Sequence, residues 1–361
     1  MADRAAILTE AARLRAGFEA AGARPVETPI LQPADLLLDL YGEDIRARAY
    51  VTWDALRGEQ MLRPDFTVPV VQLHLATGAE PARYTYSGEV FRRQEQDAGR
   101  PNEYLQVGYE VFDRQAPEAA DAEVFALFAQ ALAAHGLRAA TGDIGVLMAA
   151  VQGLDAKDRR KAALMRHIWR PKRFRALLDR FAGRRAEWTR RLARLADDTR
   201  PDGVPEIGLR SRAEVDARLE LLRAEAQEPP IPQIQLSALE AVLETRGTLP
   251  AALERLADIA VDLPAIAPAL ERLRRRVDAL AHRHVDVGTL DFEGSYGRTQ
   301  MEYYDGFVFG FYADDRPDLP PLATGGRYDA LTRRLGGGAE IPAVGGVIRP
   351  DLVLALREAT S

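Results

Sequence analysis

The residues with most chemistry per position lie in two neighbouring stretches, Tyr86-Ser-Gly-Glu-Val-Phe-Arg92 and Tyr104-Leu-Gln-Val-Gly-Tyr-Glu-Val-Phe112. They read as two extended strands joined by a polar turn that contains glycine and proline. Side chains alternate along a strand, so Tyr104, Gln106, Gly108 and Glu110 share one face, and Leu105, Val107, Tyr109 and Val111 the other. A solvent-facing strand carries Lys, Thr or Glu more often than a Gln-Gly-Glu series with aromatics beside it. The glycine leaves room, the amide and carboxylate can bind a small polar ligand, and Arg92 adds a fixed positive charge. The polar face reads as the floor of a pocket.

Composition narrows the classes. The chain has 361 residues, 47% hydrophobic and 28% charged, which is ordinary for a globular protein with one large domain, or a domain carrying an insertion. A net charge of −6 argues against a nucleic-acid partner. With no cysteine, disulfides, thiolate catalysis and Cys-ligated metals are excluded. The N-terminus is a charged amphipathic stretch, unlike a signal peptide, and no apolar run approaches the ~20 residues of a membrane span. The expectation is a cytoplasmic protein without membrane contact. Only three of the 48 basic residues are lysines, a pattern that coding bias explains, so a single arginine carries little weight without a motif. His74, His135, His167, His282 and His284 show no metal-ligand spacing, and no metal or cofactor is expected.

Stepping along the chain, residues 4–21 have helical periodicity and stop at Gly22. An extended segment follows at 26–31, then a helix from Pro33 and an apolar helix up to about Ala76. Beyond the strand pair, a long helix near 117–134 ends at His135-Gly136. Residues 150–285 are rich in Leu, Ala and Arg and read as a mainly helical insertion, within which Arg274-Arg275-Arg276 is expected to be a solvated helix face. Strand signals return from Val285 through Thr299–Tyr312. Gly325-Gly-Arg-Tyr-Asp329 is expected to open a helix closed by Gly336-Gly-Gly338, which lacks the Lys-Ser/Thr of a phosphate loop. A buried strand at 342–347 and a final helix from Pro350 complete the pattern. Hairpins and long helices without regular βαβ alternation imply an α+β fold, an antiparallel sheet flanked by helices, with a core at 1–149 and 286–361 interrupted by the insertion at 150–285.

In this order the motifs resemble class II aminoacyl-tRNA synthetases, and among them the histidyl-tRNA synthetase family. Leu62-Arg-Pro-Asp-Phe-Thr67 is similar to that family's Leu-Arg-Pro-Glu-Gly-Thr segment. Val90-Phe-Arg92 and Gln106-x-Gly-x-Glu110 resemble its second class motif, and Val26-Glu-Thr-Pro29 stands where the dimer-forming first motif belongs. Met301-Glu-Tyr-Tyr304 resembles the histidine-specific Leu-Asp-Tyr-Tyr, and Gly325-Gly-Arg-Tyr-Asp329 matches almost letter for letter.

The departures from that family point to a changed role. Three residues before Glu302, where the family has a catalytic arginine, stands Thr299. Arg298 is one position off, which on a strand faces the other side. Arg349-Pro-Asp-Leu352 replaces the Gly-Leu-Glu-Arg whose arginine grips ATP phosphates. With nine residues after Leu352, no anticodon-binding domain is expected. The pattern resembles the synthetase-like regulatory-subunit family of ATP phosphoribosyltransferase. That resemblance implies a non-catalytic homodimer within a hetero-oligomer. Its partner is the short-form catalytic subunit of the first step of L-histidine biosynthesis, and L-histidine is the feedback effector.

The resemblance assigns Asp65 and Thr67 to the ligand's amino group, Arg92 to its carboxylate, and Gln106 and Glu110 to the amino acid, Glu110 facing an imidazole nitrogen. Tyr304 and Tyr328 line the imidazole end, with Glu302 and Tyr303 nearby. Plainer readings stand beside these: Asp65 as a helix cap, Gln106 and Glu110 as a polar sheet surface, the tyrosines as core. Two rival functions also stay open, a truncated synthetase-like enzyme forming histidyl adenylate, with Arg298 or Arg349 as a second phosphate clamp, and a scaffold whose pocket binds nothing.

Overall fold

The computed structural model describes residues 3–41, 45–94, 101–187, 190, 193, 208–298 and 303–360. From the N-terminus come α1 (Arg4–Ala20), β1 (Arg24–Pro25), β2 (Leu31–Pro33), α2 (Ala34–Tyr41), α3 (Ile45–Arg48), β3 (Val51–Asp54) and β4 (Gly58–Leu62). Then follow α4 (Thr67–Thr77), β5 (Ala82–Phe91), β6 (Glu103–Phe112), α5 (Pro117–Leu132), β7 (Arg138–Asp143) and α6 (Ile144–Gln152). The helical stretch holds α7 (Asp158–Arg166), α8 (Pro171–Phe181), α9 (Arg212–Gln227), α10 (Gln233–Glu244), β8 (Arg246–Thr248), α11 (Leu249–Asp262) and α12 (Ala267–His282). The chain closes with β9 (Asp291–Glu293), β10 (Phe307–Tyr312), β11 (Ala323–Arg327), α13 (Asp329–Leu335), β12 (Ala343–Ile348) and α14 (Pro350–Thr360).

Nine strands form the main sheet in the order β1-β5-β6-β12-β11-β10-β7-β9-β8, and β2-β4-β3 form a small second one. Most pairs of the main sheet are antiparallel, but β1 runs parallel to β5 and β7 parallel to β9, so the sheet is mixed. The apolar side of β6 is covered by helices: Tyr109 packs 5.3 Å from Phe18 of α1, and α5 and α14 lie on the same strand. α1 offers Ala11, Leu14 and Phe18, a three-to-four spacing that puts all three on its buried face. With that side sealed, the other face of β6 is left for polar work.

Several local expectations change. Gly325-Gly-Arg327 belongs to β11, and the helix opens only at Asp329; glycines are used there because strands and aromatic rings crowd them, a Cβ on Gly325 falling 2.3 Å from Phe309. Of the strand expected over 299–312, Phe307–Tyr312 form β10, residues 303–306 do not belong to it, and 299–302 lie outside the described residues. The segment 150–285 contributes strand β8 to the sheet edge, and α12 packs on α5.

The arginine run is not uniformly solvated. Arg274 and Arg275 are exposed and pair with Glu271 and Glu118. Arg276 is 2% exposed and donates to Asp121 and Asp143, both at 2.7 Å. Burying a guanidinium demands such acceptors, and α5 supplies Asp121 and the end of β7 Asp143.

Candidate functional site

Several elements converge on one cavity of about 190 Å³, β11 and β12 among them. That is below the roughly 300–1,000 Å³ of drug-sized sites, so the space suits a compact ligand. β6 contributes Tyr104 and Gln106, the start of α4 Asp65 and Thr67, the end of β5 Arg92, and the turn before β10 Tyr303 and Tyr304.

The Leu62–Thr67 segment is held in place by its own arginine. Arg63 donates Nε–H to the Glu89 carbonyl at 2.8 Å and an Nη1–H to the Thr28 carbonyl at 2.7 Å. Its guanidinium lies over Phe66, which stacks 4.2 Å from Tyr86 on the sheet. Asp65 and Thr67 are thereby set against the pocket. Asp65 Oδ1 also accepts the Thr67 N–H at 3.1 Å, so the helix-start role and the pocket position coexist in one residue.

Arg92 donates Nε–H to the Pro64 carbonyl at 2.7 Å and lines the cavity. Tyr303 donates its hydroxyl to Thr67 Oγ1 at 3.2 Å. Gln106 is 2% exposed, and its Oε1 is buried with no hydrogen-bond partner among the described residues. A buried amide oxygen left unpaired costs about 1–3 kcal/mol, and a donor brought by a ligand removes that penalty.

Glu110 and Tyr328 do not line the cavity; they bond each other outside its lining, Glu110 on the same face of β6 as Gln106. The Glu110 carboxylate, 1% exposed, accepts the Tyr86 hydroxyl at 2.8 Å and the Tyr328 hydroxyl at 2.6 Å. Burial pushes its carboxyl up to about 7; the two tyrosine hydrogen bonds pull it down, and the Asp65 charge adds to the rise. Burial also raises the phenols of Tyr86, Tyr304 and Tyr328 above their ordinary value. The space around Glu110 exists only because of glycine. A Cβ on Gly345 of β12 would fall 1.4 Å from Glu110 Oε2 and 2.9 Å from the Tyr109 carbonyl oxygen. Gly345→Ala is expected to destabilise by about 1–3 kcal/mol through overpacking, read by urea unfolding; an unchanged midpoint would refute this packing.

Residues 2–201 and 209–353 match the histidyl-tRNA synthetase family. An ATP phosphoribosyltransferase regulatory subunit from Agrobacterium fabrum is 34% identical over 365 residues, covering 94% of each chain. One from Brucella anthropi is 32% identical over 356 residues, 92% of this chain and 93% of that one. A crystal structure of an ATP phosphoribosyltransferase regulatory subunit/histidyl-tRNA synthetase from Bacillus halodurans superposes with a TM-score of 0.67 at 21% identity, over 99% of this chain and 81% of that one. The chain belongs to the ATP phosphoribosyltransferase regulatory-subunit family, on the histidyl-tRNA synthetase fold.

Within this regulatory-subunit fold the structure gathers Asp65, Thr67, Arg92, Gln106 and Tyr304 around one space and leaves Glu110 and Tyr328, bonded to each other, outside its lining. Glu302 and Thr299 lie outside the described residues. Arg298 does not line the cavity: it donates Nε–H to the Ile168 carbonyl at 2.7 Å and lies over Phe174.

Tyr104 and Arg349 also line the cavity, although the resemblance gave neither a role toward the amino acid. Tyr104 lies on the polar face of β6 with Gln106, a signal present in the alternation. Arg349 stacks 4.0 Å over the Tyr104 ring, pairs with Asp351 at 2.7 Å, and lines the cavity. In the sequence it stands where the phosphate-clamp motif is lost, and only the rival enzyme reading gave it a role, as a second phosphate clamp. The pocket thus carries an acid at Asp65, with Glu110 outside its lining, and cations at Arg92 and Arg349. Opposed charges in one compact space suit a zwitterion.

Proposed function

We propose that this chain is a non-catalytic, cytoplasmic regulatory subunit of an ATP phosphoribosyltransferase. It acts with a short catalytic subunit in the first step of L-histidine biosynthesis and carries histidine feedback to it. The observation that supports the sensing role is the convergence of Asp65, Thr67, Arg92 and the unpaired Gln106 Oε1 on one amino-acid-sized cavity. In this reading the ammonium of L-histidine meets Asp65 and Thr67, the carboxylate meets Arg92, and the imidazole lies toward Tyr304 and the Glu110–Tyr328 pair. Bound histidine favours one arrangement of a hetero-oligomer built on a homodimer of this chain and lowers the partner's activity. Linkage then requires that partner and histidine change each other's affinity, by about 1–3 kcal/mol.

Arg349 favours one second reading, because it lines the same cavity as Arg92 and gives it the second cation that an adenylate-forming enzyme would need as a phosphate clamp. Calorimetric titration of the purified chain with L-histidine, then ATP, separates the two. Histidine binding without ATP binding, lost in Glu110→Ala, is the expected result. Binding of both, with histidine-dependent pyrophosphate exchange, would establish the enzyme instead. An affinity for histidine that the catalytic subunit never changes would defeat the allosteric mechanism.

A further inference from the structure

Back to back with the amino-acid pocket lies a second cavity of about 470 Å³, walled by α6, α12 and the segments around Asp305 and Asp329. The two cavities share a partition of consecutive residues. Tyr304 lines the first and Asp305 the second; Tyr328 bonds Glu110 outside the lining of the first, while its neighbours Arg327 and Asp329 line the second.

One carboxylate oxygen on its wall takes no donor from the described residues and is open to the cavity. Asp143, at the N-cap of α6, is 5% exposed and makes no capping hydrogen bond. Its Oδ2 accepts from Arg276, whereas Oδ1 has no hydrogen-bond donor among the described residues. A methyl group added to Gly145 would stand 2.9 Å from Asp143 Oδ1, 3.2 Å from the Asp305 carbonyl oxygen and 3.6 Å from Arg272 Nη2. Two acceptors and a cationic donor therefore converge on one point, open because residue 145 is glycine. Arg272 is exposed and has no ion-pair partner among the described residues. Asp305 is pushed up to about 7, first by burial and then by the Asp329 charge, so the cavity also rewards an added positive charge.

We propose that this cavity is a second small-molecule site for a zwitterionic amino compound, its protonated nitrogen on Asp143 Oδ1 and the Asp305 carbonyl and its anionic group on Arg272. Through the shared segments 304–305 and 327–329, its occupancy changes affinity in the first pocket. That coupling rests on the histidine-sensing reading; the binding itself does not.

The test is calorimetric titration of the full chain with glycine, β-alanine and γ-aminobutyrate, which differ in charge separation. It uses the wild type, Gly145→Ala, Arg272→Gln and Arg92→Gln. Arg272 is exposed, so Arg272→Gln leaves the fold intact. Gly145→Ala brings a Cβ 2.9 Å from Asp143 Oδ1 and 3.2 Å from the Asp305 carbonyl oxygen, so urea unfolding accompanies its titration and Arg272→Gln carries the test if that variant is destabilised. At least one probe is expected to bind, roughly tenfold or more weaker in Gly145→Ala and Arg272→Gln, and unchanged in Arg92→Gln. Binding lost in Arg92→Gln but kept in the other two places the probe in the first pocket and overturns the proposal, as does binding of no probe. A chain that binds a probe here but no histidine anywhere retains this site and loses the sensing function.

Discussion

Asp121→Ala is expected to lower the unfolding free energy by about 3–5 kcal/mol, the cost of leaving buried charge without its partner. Asp121 of α5 is fully buried and serves two guanidiniums. Oδ2 accepts Arg276 Nε–H at 2.7 Å, and Oδ1 accepts Arg327 Nε–H at 3.0 Å and Nη2–H at 2.7 Å. Each arginine retains one other acid, Asp143 for Arg276 and Asp329 for Arg327, which places the effect toward the lower end of that range. Asp121→Asn keeps the shape and loses the charge, so it is expected to cost less. Because Arg327 precedes Tyr328, histidine affinity in the alanine variant should fall as well. Urea unfolding and histidine titration read the two effects. A loss under about 1 kcal/mol would mean that water or rearranged partners replace Asp121, contrary to its burial.

Glu110→Gln is expected to remove part of the pH dependence of stability. The folded carboxyl sits near 7 against an ordinary 4.5. Below 4.5 the group is protonated in both states and burial imposes no charge penalty. As pH rises toward 7 the unfolded carboxyl ionises while the folded one resists, so stability is lost across that window and levels off above it. The size is up to about 3 kcal/mol for Glu110. Asp305, also raised to about 7, acts in the same direction and leaves the variant a residual slope. Urea unfolding near about pH 5 and about pH 8 measures the difference. If Glu110→Gln keeps the whole wild-type slope, Glu110 does not titrate as its burial demands. The same variant should bind histidine about tenfold to a hundredfold more weakly, since a neutral amide replaces a buried carboxylate.

How much of the site could be read in advance follows from the range of the interactions. Gln106 shares one strand face with Tyr104, Gly108 and Glu110 by a period of two, and the structure keeps that face together. Asp65 and Thr67 stand two residues apart at a helix start, so their placement is local too. Arg276 is the opposite case. In sequence it is the third of three identical arginines, yet its acceptor Asp121 lies 155 residues away. No local pattern separates it from exposed Arg274 and Arg275, because only the meeting of α12 and α5 does so. Arg349 likewise gains its place from Tyr104, reached by pairing β12 with β6.

The sequence by itself determined the α+β class, the β5–β6 hairpin, the ordered synthetase-like motifs and five residues that line the first cavity, Asp65, Thr67, Arg92, Gln106 and Tyr304. Those are matters of periodicity, turn chemistry and short spacing, which each segment carries alone. Only the tertiary structure decided that Glu110 and Tyr328 bond each other outside the cavity lining and that Arg349 joins it. It also decided that Arg276 is buried and that a second charged cavity shares segments 304–305 and 327–329 with the first. Burial and charge pairing depend on which distant elements meet. The contacts that raise a carboxyl to about 7 or hide a guanidinium exist only once the sheet and its helices have closed.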